Sequence, residues 1–289
     1  MNFTKIHSGI KTLLTVTAFL VFQSCSPLTV KPPLPAFDGE KVAAIISAFK
    51  AQEAAAKTLF FSGTLTLKNQ DAETAVQILM IADAGPRAGT KSVADAQVRA
   101  GTGACPYGRM KIEITHPWGK SLLHILIQGQ RLDILDFTEK RIYSGSLHSR
   151  RLSERIPVPL DHCILWSLAR AFPALLEHRE ATSFAGNQIT LLDPGGDKVQ
   201  VFKLHSGEPL PRSVCFCKQH ATMEFSDFEN ENGILYARQV NFQCSDNKTG
   251  LEIKIDQMTF NKPLPEAVFR IEAPLDFRIV PLENDDPEH

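Results

Sequence analysis

Three residue types that can do chemistry stand in a row at Asp161-His162-Cys163. A catalytic chain of nucleophile, base and orienting acid needs side chains that point at one another. Adjacent residues on a helix or its cap point in different directions, so these three cannot form such a chain among themselves. We therefore interpret Asp161 as a helix cap and Cys163 as a small buried hydrophobic residue.

A second group, Cys215 and Cys217, has the spacing that puts two thiols on one face of a β-strand. With His220, and with His205, these thiols would supply zinc ligands. A closed zinc site usually has four ligands in two spaced pairs, and the second pair is missing from the sequence. We therefore expect no metal site, and we favour a disulfide from Cys215 or Cys217 to Cys244 on a later strand.

No other stretch of the sequence has the pattern of an active site. Gly101-Thr102-Gly103 is not a phosphate loop, because no strand precedes it and no Lys-Ser/Thr pair follows it. Neither a Gly-x-Ser-x-Gly turn nor a His-Glu-x-x-His helix occurs. The net charge of −1 gives no electrostatic basis for binding nucleic acid. We expect neither enzymatic activity nor a cofactor.

The N-terminal 24 residues have the pattern of a signal peptide: a basic start and an apolar run, Thr12 to Phe22, too short to span a bilayer. The run ends at Ser24-Cys25, which resembles the lipobox of bacterial lipoproteins. That resemblance implies cleavage before Cys25 and lipidation of this cysteine. Because Ser26 follows, it also implies sorting to the periplasmic face of the outer membrane of a Gram-negative bacterium. Ordinary secretion with a structural Cys25 is the alternative.

An exported protein meets an oxidising compartment, so disulfides can form. The cysteines that remain after Cys25 are odd in number, so at least one thiol stays unpaired. The sequence leaves the pairing open among Cys105, Cys163, Cys215, Cys217 and Cys244.

The elements that would position any site are mostly β-strands. From Arg109 to Ser146 apolar and polar residues alternate, which predicts four consecutive antiparallel strands. Pro117-Trp118-Gly119 predicts a turn between the first two, and Gly129-Gln130 predicts a two-residue type II′ hairpin. Further strands are predicted over 59–68, 74–83, 182–192, 198–204, 212–218, 222–229, 234–244 and 251–260.

Two helices accompany the strands. Asp38 can cap the first helix, in which Val42, Ile45, Ile46 and Phe49 recur at helical spacing. The second is predicted over 161–172, where the apolar residues form one narrow stripe. We call this stripe the lid face; it consists of Ile164, Leu165, Leu168 and Phe172.

Together these elements predict a mainly β protein, an incomplete antiparallel β-barrel of about ten or eleven strongly curved strands with an N-terminal helix and an inserted helical lid. So large a sheet must curl because its strands twist. The domain is predicted over 38–281, after a signal peptide at 1–24 and a Pro-rich tether at 25–37, and before an acidic tail at 282–289. A long Gly/Ala-rich insertion occupies 84–108.

Three stretches carry a resemblance to a known family. Phe61-Ser62-Gly63 opens a strand, Pro117-Trp118-Gly119 lies between two strands, and Pro157 to Leu160 leads into the second helix. In this order they resemble the LolA/LolB family of lipoprotein carriers and receptors over roughly 42–271, and the LolB-like outer-membrane receptor more than the soluble carrier. The resemblance implies an incomplete β-barrel with a helical lid over an apolar cavity.

By the same resemblance, Trp118 stands where the family's receptor has the turn residue that enters the membrane. Tryptophan suits this role, since a large apolar body with one N–H donor settles at a membrane interface. The alternative is a turn tryptophan folded back onto the sheet. We expect it to project.

The function that this resemblance implies is that of an outer-membrane lipoprotein which binds acyl chains of lipoproteins or lipids and receives or inserts lipidated clients, with a periplasmic carrier as donor. The alternative is an accessory lipoprotein that acts by binding another protein through the 84–108 insertion. The cavity wall would consist of inward-facing strand residues: Met110, Ile112, Ile114, Leu123, Ile125, Ile127, Leu132, Ile134, Val214, Phe216, Met223, Phe225, Ile253 and Ile255.

Two features depart from the family pattern. The 84–108 insertion is longer than the family leads us to expect, and the strand over 122–127 is apolar on both faces apart from His124. The charges at Arg109, Lys111 and Arg141 are interpreted as solvated residues on the sheet surface. The alternative is a buried arginine that ties the lid to the sheet, and the sequence does not choose which one.

Overall fold

A computed structural model of the chain describes residues 35–68, 72–85, 108–149, 151–152, 161–244 and 250–282. Several predictions fall outside these residues. They concern the signal peptide, Cys25, most of the tether, nearly all of the 84–108 insertion with Cys105, the Pro157 to Leu160 approach, and the tail after 282. Within the described ranges no helix has both the length and the apolar character needed to cross a membrane.

In the described part of the chain, fourteen strands form one sheet. Its strands are β1 (Thr58–Lys68), β2 (Glu73–Asp83), β3 (Arg109–Thr115), β4 (Ser121–Gln128), β5 (Arg131–Asp136), β6 (Arg141–Ser146), β7 (Glu180–Ala185), β8 (Gln188–Leu192), β9 (Lys198–Leu204), β10 (Pro211–Phe216), β11 (Ala221–Glu231), β12 (Ile234–Cys244), β13 (Gly250–Phe260) and β14 (Arg278–Pro281). The order across the sheet is β14-β6-β5-β4-β3-β2-β1-β13-β12-β11-β10-β9-β8-β7, so β14 and β7 are the two edges and the sheet is not closed. The predicted mainly β, incomplete barrel is confirmed.

The strand count and the strand directions differ from the prediction. The region predicted as one strand over 182–192 is two strands, β7 and β8, joined by a two-residue turn at Gly186-Asn187. A Gly-Asn pair between two β-prone runs is a turn signal that the strand pattern concealed. The last strand, β14, was not predicted, and it pairs with β6 in parallel, so the sheet is not antiparallel throughout.

The middle of the sheet is where the two halves of the chain meet. Strand β1 pairs with β2 on one side and with β13 on the other. At Gly63 the register with β13 shifts, which leaves Asp256 as the extra residue of a β-bulge. A Cβ atom on Gly63 would lie 2.1 Å from the carbonyl oxygen of Lys254. The glycine of the Phe-Ser-Gly stretch is therefore required by a close backbone approach.

Helix α1 (Gly39–Ala55) begins where it was predicted to begin. The Oδ1 atom of Asp38 accepts a hydrogen bond from the Lys41 N–H at 2.7 Å, as an N-cap residue does. Its buried residues are the four that were predicted: Val42, Ile45, Ile46 and Phe49. The helix packs on β7 and β12. We call the face of the sheet against which the helices pack the inner face, and the opposite face the outer face.

Helix α2 (His162–Arg170) is also capped as predicted, because Asp161 Oδ1 accepts hydrogen bonds from the N–H groups of Cys163 and Ile164. It packs on β1 and β2. The prediction of one narrow apolar stripe was wrong, since every residue from Cys163 to Arg170 is buried. A helix that is buried on all sides belongs to the core of a protein. Its polar residues are therefore enclosed as well and do not form a solvent-exposed face.

The outer face of the sheet carries a second, smaller apolar cluster. A 3-10 helix, Glu266–Phe269, places Phe269 against Ile81 and Leu126 on this face. Arg109 joins the same region, with its Nη2 atom 2.8 Å from Asp83 Oδ2 and its Nη1 atom 2.5 Å from Glu266 Oε2. Part of the unexpected apolar character of β4 is thus explained, because Leu126 is covered by a C-terminal segment.

Candidate functional site

The predicted wall residues share one apolar core on the inner face, and most of them are buried there by the protein's own side chains. The buried members are Met110, Ile112, Ile127, Leu132, Ile134, Val214, Phe216, Met223, Phe225, Ile253 and Ile255. Ile114, Leu123 and Ile125 are only partly buried, and we call these three the apolar rim. The structure therefore brings the predicted wall together and leaves one border of it accessible.

The strand register shows how the rim continues the core. In one cross-strand row, Met110 lies between Ala82 and Ile127, and all three are at most 1% exposed. In the next row Ile112 faces the rim residue Ile125. One further row brings Ile114 opposite Leu123, both in the rim. Apolar surface thus extends without interruption from a filled interior towards the turn between β3 and β4.

That turn carries Trp118. The Gly119 N–H donates to the His116 carbonyl at 2.7 Å, the His116 N–H donates to the Lys120 carbonyl at 2.8 Å, and Gly119 has φ 85°. This is a three-residue hairpin loop that requires a left-handed residue at its end. Trp118 is 81% exposed, and its ring lies 3.9 Å from the His116 ring. The indole is therefore not folded onto the apolar face of the sheet.

The C-terminal end of α2 is held by buried hydrogen bonds. The Ser167 hydroxyl donates to the Cys163 carbonyl at 2.6 Å and accepts from the Ala174 N–H at 2.9 Å. The Gln200 side chain donates to the Ala174 carbonyl at 2.8 Å and accepts from the Leu176 N–H at 3.1 Å. Satisfied buried polar groups of this kind specify one arrangement of the backbone. The segment after α2 is thereby fixed against β9.

The lid-face residues are all buried, and Phe172 makes the contacts between the two helices. Its ring lies edge-on to Phe49 of α1 at 5.3 Å and to Phe228 at 6.3 Å. Ala171 ends α2 in the left-handed conformation, and its carbonyl accepts a hydrogen bond from the Ala237 N–H of β12 at 2.8 Å. Helices α1 and α2 therefore meet at the C-terminal end of α2.

Arg170 lies at the same place and was not singled out from the sequence. Its side chain is 0% exposed, with the guanidinium carbon 4.8 Å from the centre of the Phe172 ring. Burial lowers the pKa of Arg170 to about 10, and the nearby charge of Glu53 acts in the opposite direction. An arginine that ends an otherwise apolar helix was the available signal, but helix-terminal arginines are ordinarily solvated.

Of the three charged residues that had been predicted to be solvated, Arg109 and Lys111 lie on the outer face, whereas Arg141 is exposed and lies on the same side of β6 as the buried Tyr143. Lys111 Nζ is 2.8 Å from Glu113 Oε1, and Arg141 Nη1 is 3.4 Å from Glu139 Oε2. Arg109 makes the ion pairs described above. The buried arginine near the helices is Arg170, so the choice left open by the sequence falls on a residue outside the three considered.

The cysteine predictions need two corrections. Cys163 is buried but disulfide-bonded, and not a free hydrophobic residue. Cys215, Cys217 and Cys244 are free thiols, so the predicted disulfide to Cys244 is wrong. Strand alternation is the reason, because Cys244 is buried on the inner face while Cys215 and Cys217 flank an inward-facing residue and point outward.

No group of three or more His, Cys, Asp or Glu side chains that could hold a metal ion occurs within the described residues. Burial raises the pKa of the Cys217 thiol to about 11, so this thiol is protonated at neutral pH. A protonated thiol is neither a nucleophile nor a metal ligand.

A pocket of about 560 Å³ lies on the outer face, between β4 to β6 and the segment around the 3-10 helix. Its lining includes the charged residues Arg131, Asp133, Glu266, Arg270 and Glu272. It is therefore separated by the sheet from the predicted wall, and its polar lining does not suit an acyl chain.

The fold and the site define a mainly β protein with an open curved sheet, an apolar inner face, and two helices that cover this face. The sequence matches no protein-family model and no curated protein. Among solved structures it is similar to a DUF1329 family protein from Desulfovibrio piger, with a TM-score of 0.48, 12% identity, and coverage of 79% of this chain and 97% of that chain.

Two further solved structures are similar over the same region. A putative outer membrane lipoprotein-sorting protein domain from Vibrio parahaemolyticus has a TM-score of 0.45, 14% identity, and coverage of 80% of this chain and 97% of that chain. A LolA superfamily protein from Nitrosomonas europaea has a TM-score of 0.46, 13% identity, and coverage of 80% and 97%.

Proposed function

We propose that this protein binds acyl chains between its helices and the inner face of the sheet. The observation that carries the proposal is the continuous apolar surface from the buried core to the apolar rim. An acyl chain that enters at the rim gains about 0.8 kcal/mol for each methylene group that leaves water. A chain of ordinary length therefore binds strongly once space is made for it.

Binding requires α2 to move, because the protein's own residues fill the inner face in this arrangement. The hydrogen bonds of Ser167 and Gln200 hold the C-terminal end of α2. The disulfide of Cys163 holds the other end, so opening requires the hydrogen bonds at the C-terminal end to break. The structure then corresponds to a closed, unliganded state. Burial of the apolar surface of the ligand offsets the free energy that opening requires.

In the cell this activity is that of a LolB-like lipoprotein. Lipidated Cys25 anchors the protein to the periplasmic face of the outer membrane, and a periplasmic carrier supplies the lipidated client. The protein acts by binding and transfer and carries out no catalysis. Transfer needs a competing apolar sink, which the bilayer supplies, and Trp118 enters the bilayer interface beside the apolar rim.

Displacement of a fluorescent fatty-acid analogue tests the proposal. The full chain carrying Cys25→Ser is used, so that no acyl group of its own competes. Ile125→Gln in the rim should weaken binding of the analogue by about tenfold or more, because a polar group would then face the chain. The control Leu275→Gln changes a fully exposed residue and should leave binding unchanged.

A second candidate function is that of an accessory lipoprotein that binds another protein and holds no lipid. The filled inner face favours it. The same assay separates the two candidates: no saturable binding of the analogue by the folded Cys25→Ser chain would reject the lipid-binding function and leave the accessory one.

A further inference from the structure

Arg170 is a buried cation whose hydrogen-bonding capacity is unused. It is the last residue of α2, and its side chain is 0% exposed. Its Nε, Nη1 and Nη2 atoms have no hydrogen-bond partner among the residues that the structure describes. A guanidinium group carries five N–H donors, and burying such a charge without partners is strongly unfavourable.

The neighbours of Arg170 balance its charge only in part. The Phe172 ring offers a cation–π contact at 4.8 Å. Glu53 of α1 attracts the guanidinium electrostatically and accepts a hydrogen bond from the Leu175 N–H, but no Arg170 nitrogen donates to it. Because the pKa of Arg170 stays near 10, the group keeps its charge at neutral pH.

Ser167 and Gln200 are two buried polar side chains at this place whose hydrogen bonds are satisfied. Both are 0% exposed, and each makes two hydrogen bonds to backbone groups: Ser167 to Cys163 within α2 and to Ala174 after it, and Gln200 to Ala174 and Leu176. Arg170 differs from both, since none of its three nitrogen atoms makes a hydrogen bond. It stands where α1, α2 and β12 meet, at the polar end of an otherwise apolar layer.

Resting on the proposed function, we propose that Arg170 binds the anionic head group of an acyl lipid whose chain lies along the inner face of the sheet. The planar guanidinium matches a carboxylate or a phosphate with two parallel hydrogen bonds. The head group would supply the missing acceptors, and the apolar residues of α2 would flank the first methylene groups. The ligand class is therefore an anionic acyl lipid, and a neutral lipid would leave the donors of Arg170 unused.

The test compares competitors that share one chain length and differ in the head group: palmitate, hexadecyl phosphate and hexadecanol. Each displaces the uncharged probe N-phenylnaphthylamine from the full chain carrying Cys25→Ser, at neutral pH. We expect at least one of the two anions to bind about tenfold or more tightly than the alcohol, since charge-assisted hydrogen bonds are the strong ones. Which anion it is distinguishes a carboxylate from a phosphate head group.

Arg170→Met should bring the affinities for the anion and the alcohol to within about twofold of each other, while the alcohol binds as before. Arg170→Lys keeps the charge but loses the planar pair of N–H donors, so its preference for the anion should lie between those of the parent chain and Arg170→Met. The control Arg238→Met removes a surface arginine that bonds to Glu229 and to the Ile255 carbonyl, and it should keep the wild-type preference.

The unfolding temperature without ligand separates a binding role from a structural role of Arg170. If Arg170 stabilised the fold, its replacement would lower this temperature. Arg170→Met removes an unpaired buried charge, so its unfolding temperature should equal or exceed that of the parent chain. Lower stability together with an unchanged head-group preference would overturn the proposal.

If Arg170→Met does not fold, the parent chain alone still decides. Equal affinities for all three competitors would reject the role of Arg170 and leave acyl binding intact. Displacement by none of them would reject the proposed function itself.

Discussion

Position 63 requires glycine because the backbone of β13 lies too close to leave room for a Cβ atom. Gly63→Ala would place a methyl group 2.1 Å from the Lys254 carbonyl oxygen in the bulge between β1 and β13. We expect a loss of about 1–3 kcal/mol in the free energy of unfolding, measured by urea denaturation. Gly39→Ala is the matched control, because nothing lies within 4 Å of its Cβ position and alanine favours the helix. Equal effects of the two changes would contradict this account.

His124 makes the stability depend on pH. It is half-buried on the outer face, where burial lowers its pKa below the ordinary 6.5; the charge of Glu113 opposes the shift and that of Lys111 adds to it. The folded state therefore disfavours the protonated ring more than the unfolded state does. The free energy of unfolding is therefore not reduced by His124 above about pH 6.5, and it decreases as the pH falls below that value.

His124→Gln should accordingly reduce the decline in the free energy of unfolding between about pH 7 and pH 5, measured by chemical denaturation at a series of pH values. His162 has its pKa lowered by burial as well, so part of the decline should remain in this variant. His220→Gln, in an exposed turn, serves as the control and should keep the wild-type profile. A profile for His124→Gln that coincides with wild type would remove His124 from the explanation.

Trp118 is the residue at which stability and membrane contact should separate. Trp118→Ala should change the free energy of unfolding by less than about 0.5 kcal/mol, because the side chain is 81% exposed. It should lower the fraction of protein that floats with anionic liposomes. Phe184→Ala removes another exposed aromatic residue, on edge strand β7, and should not change flotation. Unchanged flotation of Trp118→Ala would exclude this residue from the membrane contact.

At the scale of elements, α2 is the one whose position decides whether the inner face is open or closed. The helix is short, is buried on every side, and ends in a left-handed cap at Ala171 with φ 51°. Its C-terminal end depends on the hydrogen bonds of Ser167, which satisfy the Ala174 N–H inside the protein. A weakened hold should therefore favour the open arrangement.

Ser167→Ala tests this relation. The loss of the acceptor for a buried N–H should cost about 1–3 kcal/mol of stability. If opening limits binding, the same variant should bind the fatty-acid analogue more tightly, since less work is needed to open the protein. Ser226→Ala, on the exposed side of β11, should change neither quantity. Weaker binding together with lower stability would indicate that α2 does not have to move.

At the scale of the whole molecule, both faces of the sheet are covered at its centre. Helices α1 and α2 cover the inner face, and the C-terminal segment covers part of the outer face through Phe269. The lipid-binding account assigns function to the inner face alone. The outer cluster should therefore contribute to stability and not to ligand binding.

Phe269→Ala makes these two contributions distinguishable. Phe269 is buried against Ile81 and Leu126, and its ring lies 4.4 Å from the Arg109 guanidinium carbon. We expect a loss of about 3 kcal/mol in the free energy of unfolding, with an unchanged affinity for the fatty-acid analogue. Leu275→Ala, at a fully exposed position, should affect neither. A loss of affinity in Phe269→Ala would mean that the two faces of the sheet are coupled.

Local patterns predicted much of the fold. The alternation in β3 to β6, the caps Asp38 and Asp161, and the buried stripe of α1 all depend on residues within a few positions of one another, and each is found in the structure. The turn at Gly186-Asn187 was equally local and was missed, because the β-prone residues on both sides masked it.

By itself, the sequence determined that this is a mainly β protein with an apolar sheet face, two capped helices and a turn at Pro117-Trp118-Gly119, since alternation, capping and turn chemistry act over short distances. Only the tertiary structure decided that α2 is buried all round, that β14 joins β6 in parallel, that the Trp118 ring is exposed, and that Arg170 is enclosed while Arg109, Lys111 and Arg141 are not. Burial of a side chain depends on which distant elements pack around it, and no window of neighbouring residues contains that information.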